Sequence, residues 1–150
     1  MSKILVSYAT MSGNTEKVAQ HIAQELPKIA EDVEISLVNM MELTEELFVE
    51  HDVNILGSST WTDGELNPIS EEFFNRLGAS TIDLNGMKFA VFGLGESYYP
   101  EFCTVVGKME EVIKSKNGLI IAEPLKLDGY VDENMLNATI DWLNKFVNTI

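Results

Sequence analysis

A chain of 150 residues, 45% hydrophobic and 23% charged, is long enough for one domain with a real core and has the balance of an ordinary soluble protein. No apolar run approaches the ~20 residues that a membrane span needs. A net charge of -14 argues against nucleic-acid and anionic-membrane partners, which require a basic face, while it permits a basic protein partner or simply serves solubility.

The N-terminus, MSKILVSYAT, reads directly as a strand and lacks a signal-peptide pattern, so a cytoplasmic location is expected. Lys3 to Tyr8 forms the first strand. Val18, Ile22 and Leu26 then recur at helical spacing up to Pro27, which is expected to end or kink that helix. Val33 to Val38 alternates apolar and polar residues, as an edge or half-covered strand does. Met40 to Glu50 is acidic and has room for one or two helical turns. Val53 to Ser59 is the third strand. Asn67-Pro68 supplies a helix N-cap and a proline at the first helical position. Phe73, Phe74 and Leu77 give that helix its apolar face, and Gly78 is its expected stop. Lys88 to Leu94 is the fourth strand. Val105, Met109, Val112 and Ile113 mark the next helix, ending near Asn117-Gly118. Leu119 to Leu127 is a fifth strand broken by Pro124, and Leu136, Ile140, Leu143, Val147 and Ile150 complete a last amphipathic helix. Five alternations of strand and helix imply an α/β domain with a parallel sheet covered on both faces.

In such sheets, ligands bind beyond the carboxyl ends of the strands. Three loops leave those ends: TMSGNT (10–15), SSTWTDGE (58–65) and GLGESYYPEFC (93–103). In the first, hydroxyls of Thr10, Ser12 and Thr15, the Asn14 amide and the Gly13 N–H precede a helix, whose free N–H groups attract anions. The Gly-Lys-Ser/Thr ending of a nucleotide-hydrolase loop is absent, so a single terminal phosphate fits better. The competing reading is an ordinary turn with Ser12 as N-cap. Trp61 in the second loop, and Tyr98, Tyr99 and Phe102 in the third, suit a planar ligand gripped by aromatic rings, or else anchor their loops. The lone Cys103 excludes an internal disulfide. With only His21 and His51 beside it, distant in sequence, it makes no zinc-like spacing, and no metal site is expected.

With these motifs the chain resembles the flavodoxins, short-chain branch, over essentially its whole length. Thr10, Ser12, Gly13 and Thr15 satisfy the family's phosphate-loop pattern. Ser59 to Asp63 and Gly93 to Tyr99, with Phe102-Cys103, are similar to its second and third loops. The resemblance implies a three-layer sandwich with a five-stranded parallel sheet of order 2-1-3-4-5, spanning residues 1–150 as one domain. It implies bound FMN, with the phosphate on Thr10 to Thr15, Met11 included, and on Ser59. Trp61 and Tyr99 would sandwich the ring. Backbone groups of Thr60, Thr62, Asp63, Gly64, Gly93, Leu94, Gly95 and Cys103, with Phe102, would meet its polar edge or ribityl chain. Cys103 is expected to pack beside the ring rather than act as a thiol.

The implied function is low-potential transfer of single electrons between flavin semiquinone and hydroquinone, without catalytic turnover. A flavodoxin reductase-type donor and redox-enzyme acceptors would dock on the acidic rim of Asp63, Glu65, Glu96 and Glu101, with the carrier as a monomer. Thr62 departs from the glycine common in the family, and a positive φ there implies strain and a less stabilised semiquinone. A phospho-receiver domain is disfavoured, because the ends of strands one and three read Tyr8-Ala9-Thr10 and Ser58-Ser59-Thr60 rather than acidic residues. An FMN-dependent oxidoreductase and a ribonucleotide reductase activator are the nearer rivals.

Overall fold

The computed structural model describes residues 1–60, 67–96 and 103–150. Its central strands are β1 (Ser2–Ala9), β3 (Val53–Ser59) and β4 (Lys88–Gly95), with β2 (Val33–Asn39) outside β1. The fifth position holds two short pieces, β5 (Leu119–Ile120) and β6 (Leu125–Asp128), both parallel to β4. The order is β2-β1-β3-β4-β5, as the resemblance implies. Ile4 to Ala9, Val53 to Ser58 and Phe89 to Leu94 are buried continuously, because both faces of a parallel sheet are covered. The half-buried alternation of β2 is that of an edge strand.

Period two divides the core into two layers. On one side Ile4, Val6, Ile55 and Phe92 meet Val18, Ile22 and Leu26 of α1 (Asn14–Ile29) and Trp142, Leu143 and Phe146 of α5 (Glu133–Phe146). On the other, Leu5, Leu56, Phe89 and Val91 meet Phe48 of α2 (Glu45–Val49), Phe73 and Leu77 of α3 (Pro68–Ala79), and Val106 and Met109 of α4 (Thr104–Ser115). A 3-10 turn at Met40–Glu42 precedes α2.

Three local expectations need adjusting. The last helix, α5, stops at Phe146, and Val147–Thr149 form a 3-10 turn instead of continuing it to Ile150. Helix α1 does not end at Pro27 but runs to Ile29, and the Ala30 N–H closes the turn on the Leu26 carbonyl at 2.9 Å. A proline this near a C-terminus removes one helical donor, and Leu26 beside it is fully buried, so packing holds the last turn. Helix α3 likewise passes Gly78 and ends at Ala79. Asn67 caps α3 as expected, its Oδ1 accepting the Ile69 N–H at 2.9 Å. The break in the fifth strand spans residues 121–124, and the Trp142 indole donates to the Glu123 carbonyl there at 2.8 Å.

Gly57 is a packing requirement. It lies beside Phe92 in the ladder, and a Cβ at Gly57 would sit 2.0 Å from the Phe92 ring. That ring is fully buried and lies edge-on to Trp142, with centroids 6.2 Å apart, so it has little room to withdraw. Gly57→Ala is expected to cost about 1–3 kcal/mol through overpacking, seen as a lower urea midpoint, with partial recovery on adding Phe92→Leu. An unchanged midpoint would contradict this packing.

Candidate functional site

Register brings the three loops to one edge. Ala9 lies beside Ser58, Ser59 beside Leu94, and Gly95 beside Asp128. The ladder continues one step further: the Thr60 N–H donates to the Leu94 carbonyl at 2.8 Å, and the Gly129 N–H to the Gly95 carbonyl at 3.0 Å. Thr10, Met11, Ser12, Gly13, Asn14, Thr15, Ser59, Thr60, Gly93, Leu94, Gly95 and Cys103 all belong to this edge or to the helices starting from it. Trp61, Thr62, Asp63, Gly64, Tyr99 and Phe102 lie outside the described residues, as do Glu65, Tyr98 and Glu101. The expected strain at Thr62 and three of the four rim carboxylates therefore fall outside them too, while Glu96 is described and half-buried.

The first loop ends in a helix start without a side-chain cap. The N-cap is Gly13, not Ser12, with φ 93° and ψ -6°, a left-handed conformation that glycine adopts without strain. Among the described residues, no side-chain cap closes the first turn of α1. The Gly13 N–H is taken by Thr10 Oγ1 at 2.9 Å. Helix geometry leaves the N–H groups of Asn14, Thr15 and Glu16 without intrahelical partners. Among the described residues, nothing lies within 4 Å of where a Gly13 Cβ would stand. Together these form an open cluster of donors at the positive end of a 16-residue helix.

Glu16 is the third helical residue, the position from which an acidic side chain reaches back to cap its own helix. Instead its Oε2 accepts from the Tyr8 hydroxyl at 2.7 Å. Burial, then the hydrogen bond to Glu16 and the Glu16 and Glu42 carboxylates, push Tyr8 up to about 12. The phenol therefore stays protonated and remains a donor.

At the end of β3, a hydroxyl network ties the strand to α3. Ser58 Oγ lies 2.9 Å from Ser70 Oγ, which donates to the Asn67 carbonyl at 3.0 Å. Asn67 Nδ2 donates to Ser59 Oγ at 3.0 Å. The orientation of Asn67 follows from its cap, since Oδ1 already accepts from Ile69, so Ser59 is left with its own proton for another acceptor. Thr60 Oγ1 is buried and has no hydrogen-bond partner among the described residues. The supporting roles of Asn67 and Ser70 are not visible in the sequence, although Asn67 is recognisable there as a cap.

In the third loop, Gly93 serves helix packing. A Cβ there would come within 2.8 Å of Val106 Cγ1 on α4. Cys103 is fully buried, left-handed at φ 51°, and its Sγ faces the Leu127 carbonyl at 3.9 Å. Burial, ahead of any charge, pushes its thiol up to about 12. It is a packing thiol, inert at neutral pH.

The Flavodoxin family profile matches residues 6–142. Among curated proteins, the chain is 36% identical over 143 residues to "Probable flavodoxin 2" of Bacillus subtilis, covering 91% of each chain. It is 33% identical over 130 residues to the flavodoxin of Maridesulfovibrio salexigens, covering 86% of this chain and 88% of that one. Among solved structures, oxidised Flavodoxin 2 from Bacillus cereus superposes with a TM-score of 0.90 at 37% identity, covering 99% of this chain and 100% of that one.

Tyr8 and Cys103 have ordinary values of 10.0 and 9.0, and both are raised to about 12 in the fold. Between those limits the folded chain holds protons that the unfolded chain has released. The stabilisation contributed by these two groups is thus complete below about pH 9 and is lost progressively as pH rises toward about 12. The urea midpoint of the apoprotein should fall across this window, and fall less steeply in Cys103→Ala. A midpoint flat from about pH 9 to about pH 11 would refute it.

Proposed function

The chain belongs to the flavodoxin family and is an FMN-binding electron carrier, and we propose that the open start of α1 holds the phosphate of its FMN. The uncapped donor cluster at Gly13 carries this reading. Its loop contains no cation, and none is required: backbone N–H groups and neutral hydroxyls supply the hydrogen bonds, and the helix end supplies partial positive charge. Thr10 shapes the loop by binding the Gly13 N–H, Ser12, Asn14 and Thr15 add polar groups, Met11 lines the loop, and Ser59 keeps a proton to give. The unpartnered Thr60 hydroxyl is a further buried group that a bound ligand would satisfy.

When bound, FMN supplies the electron storage, and the protein supplies binding and electrostatics. By their resemblance to the family loops, Trp61 and Tyr99 are proposed to cover the two faces of the ring. Thr62, Asp63 and Gly64, with Leu94, Gly95, Phe102 and the inert Cys103, would border its polar edge or ribityl chain. The acidic residues Asp63, Glu65, Glu96 and Glu101 would oppose negative charge on the reduced ring and present a docking face to a basic reductase and basic acceptors. No described helix is long and apolar enough to cross a membrane. A cytoplasmic monomer is the working state we propose.

Stepwise anaerobic reduction tests the reading. A yellow protein should turn blue and then pale as electrons enter singly. A protein that stays colourless after FMN is added would overturn the cofactor assignment, and bleaching without a blue stage would overturn single-electron storage. A carboxylate about 10 Å from the ring is worth roughly 1.7 kcal/mol at an effective dielectric of ~20, or about 70 mV before salt screening. Neutralising Asp63, Glu65, Glu96 and Glu101 together to Asn or Gln should raise the second potential by on the order of 100 mV at low ionic strength. An unchanged potential would remove the acidic rim from the account.

A further inference from the structure

The geometry points to Tyr8 as a positioning residue for phosphate recognition: by holding the Glu16 carboxylate, it keeps the chain's own anion away from the donors that bind the ligand's anion. This rests on the phosphate reading of the Gly13 cradle.

Three observations converge. Glu16 occupies the third position of α1, from which a carboxylate naturally turns back to its helix N-terminus. Tyr8, 7% exposed and anchored in β1, instead holds Glu16 Oε2 at 2.7 Å. The donor that Glu16 would otherwise take, the Gly13 N–H, is already bound by Thr10 Oγ1 at 2.9 Å. With glycine as N-cap and Glu16 diverted, both halves of a self-capping arrangement are disabled. A phosphate that arrives meets free amides rather than a competing carboxylate. Glu42 of the 3-10 turn and Asn39 at the end of β2 also act on the Tyr8 hydroxyl. Asn39 lies beside Tyr8 in the ladder and its Oδ1 accepts the Met41 N–H at 2.9 Å. The phenol therefore feels the charge of two acidic side chains and holds one of them, Glu16, by a hydrogen bond.

Tyr8→Phe keeps the ring in the core and removes only the hydroxyl. With the Gly13 N–H held by Thr10, a freed Glu16 would be drawn by the positive helix end toward the still open amides of Asn14 to Glu16 and would repel a dianion there. FMN affinity of the apoprotein should fall about five- to tenfold, the scale of a charge at a helix terminus. Riboflavin, which has the same ring and no phosphate, should bind Tyr8→Phe and the parent protein equally. Adding Glu16→Ala to Tyr8→Phe should restore FMN binding, and the loss in the single variant should shrink at high ionic strength. Fluorescence titration of the apoproteins reads all of these directly. Unchanged FMN affinity in Tyr8→Phe would overturn the proposal. So would equal losses for FMN and riboflavin, which indicate general damage, or failure of Glu16→Ala to rescue. Glu16→Ala alone provides a version that does not disturb the core: FMN should bind at least as tightly as to the parent, and a selective loss of FMN would count against the proposal. A parent protein that binds FMN no better than riboflavin would instead overturn the phosphate cradle itself, a distinguishable failure.

Discussion

Parallel strands cannot be joined by a tight turn; each chain must cross back over a face of the sheet before the next strand begins. In this protein that constraint arranges everything else. It places α1 and α5 on one face and α2, α3 and α4 on the other, so β1, β3 and β4 are buried on both sides. It also sends every strand's carboxyl end to the same edge, where Ala9, Ser59 and Gly95 hand the chain to its loops. The site needs no special device to assemble. It is where the crossovers leave the sheet.

Within that edge, recognition depends on what is left unbonded. Most helix starts are closed by a Ser, Thr, Asp or Asn side chain. In α3 and α5, Asn67 and Asp132 do this, accepting from Ile69 and Met135 at 2.9 and 2.8 Å. α1 has the same length of exposed backbone donors and no such cap. Capped ends hold the fold; α1, like α2 and α4, starts without a side-chain cap, and at α1 the open amides follow a left-handed glycine and a run of hydroxyls at the loop edge of the sheet. In the proposed role, a neutral cradle would also avoid placing a full positive charge beside the reduced cofactor.

The strands and the layers were legible because buried parallel strands leave continuous apolar runs, such as ILV at 4–6 and AVF at 90–92, whereas the sheet order came from the resemblance to the family. The donor-rich loop ahead of α1, which we propose as the phosphate loop, was legible from Gly13 among hydroxyls ahead of a helical pattern. Other features were not, each for a physical reason. Pro27 marks a helix end on local propensity, yet tertiary burial of Leu26 carries α1 past it. Ser12 looks like the cap on side-chain chemistry, yet the left-handed turn at Gly13 moves the helix start by one residue. The pairing of Tyr8 with Glu16 joins residues eight apart across a strand-to-helix turn, a distance that neither period two nor period 3.6 encodes. Asn67 is recognisable as a cap, but its second bond to Ser59 depends on the crossing of β3 and α3.

The interrupted fifth strand has a consequence beyond packing. Sheet margins present unpaired N–H and C=O groups, and a long flat margin invites the margin of another molecule. Here that margin consists of two residues at 119–120 and four at 125–128, separated by a segment with Pro124, and the Glu123 carbonyl is turned inward to the Trp142 indole. No continuous template remains on this side for a second copy to extend. One awkward stretch of backbone thus acts as a barrier to edge-to-edge pairing on this side of the sheet.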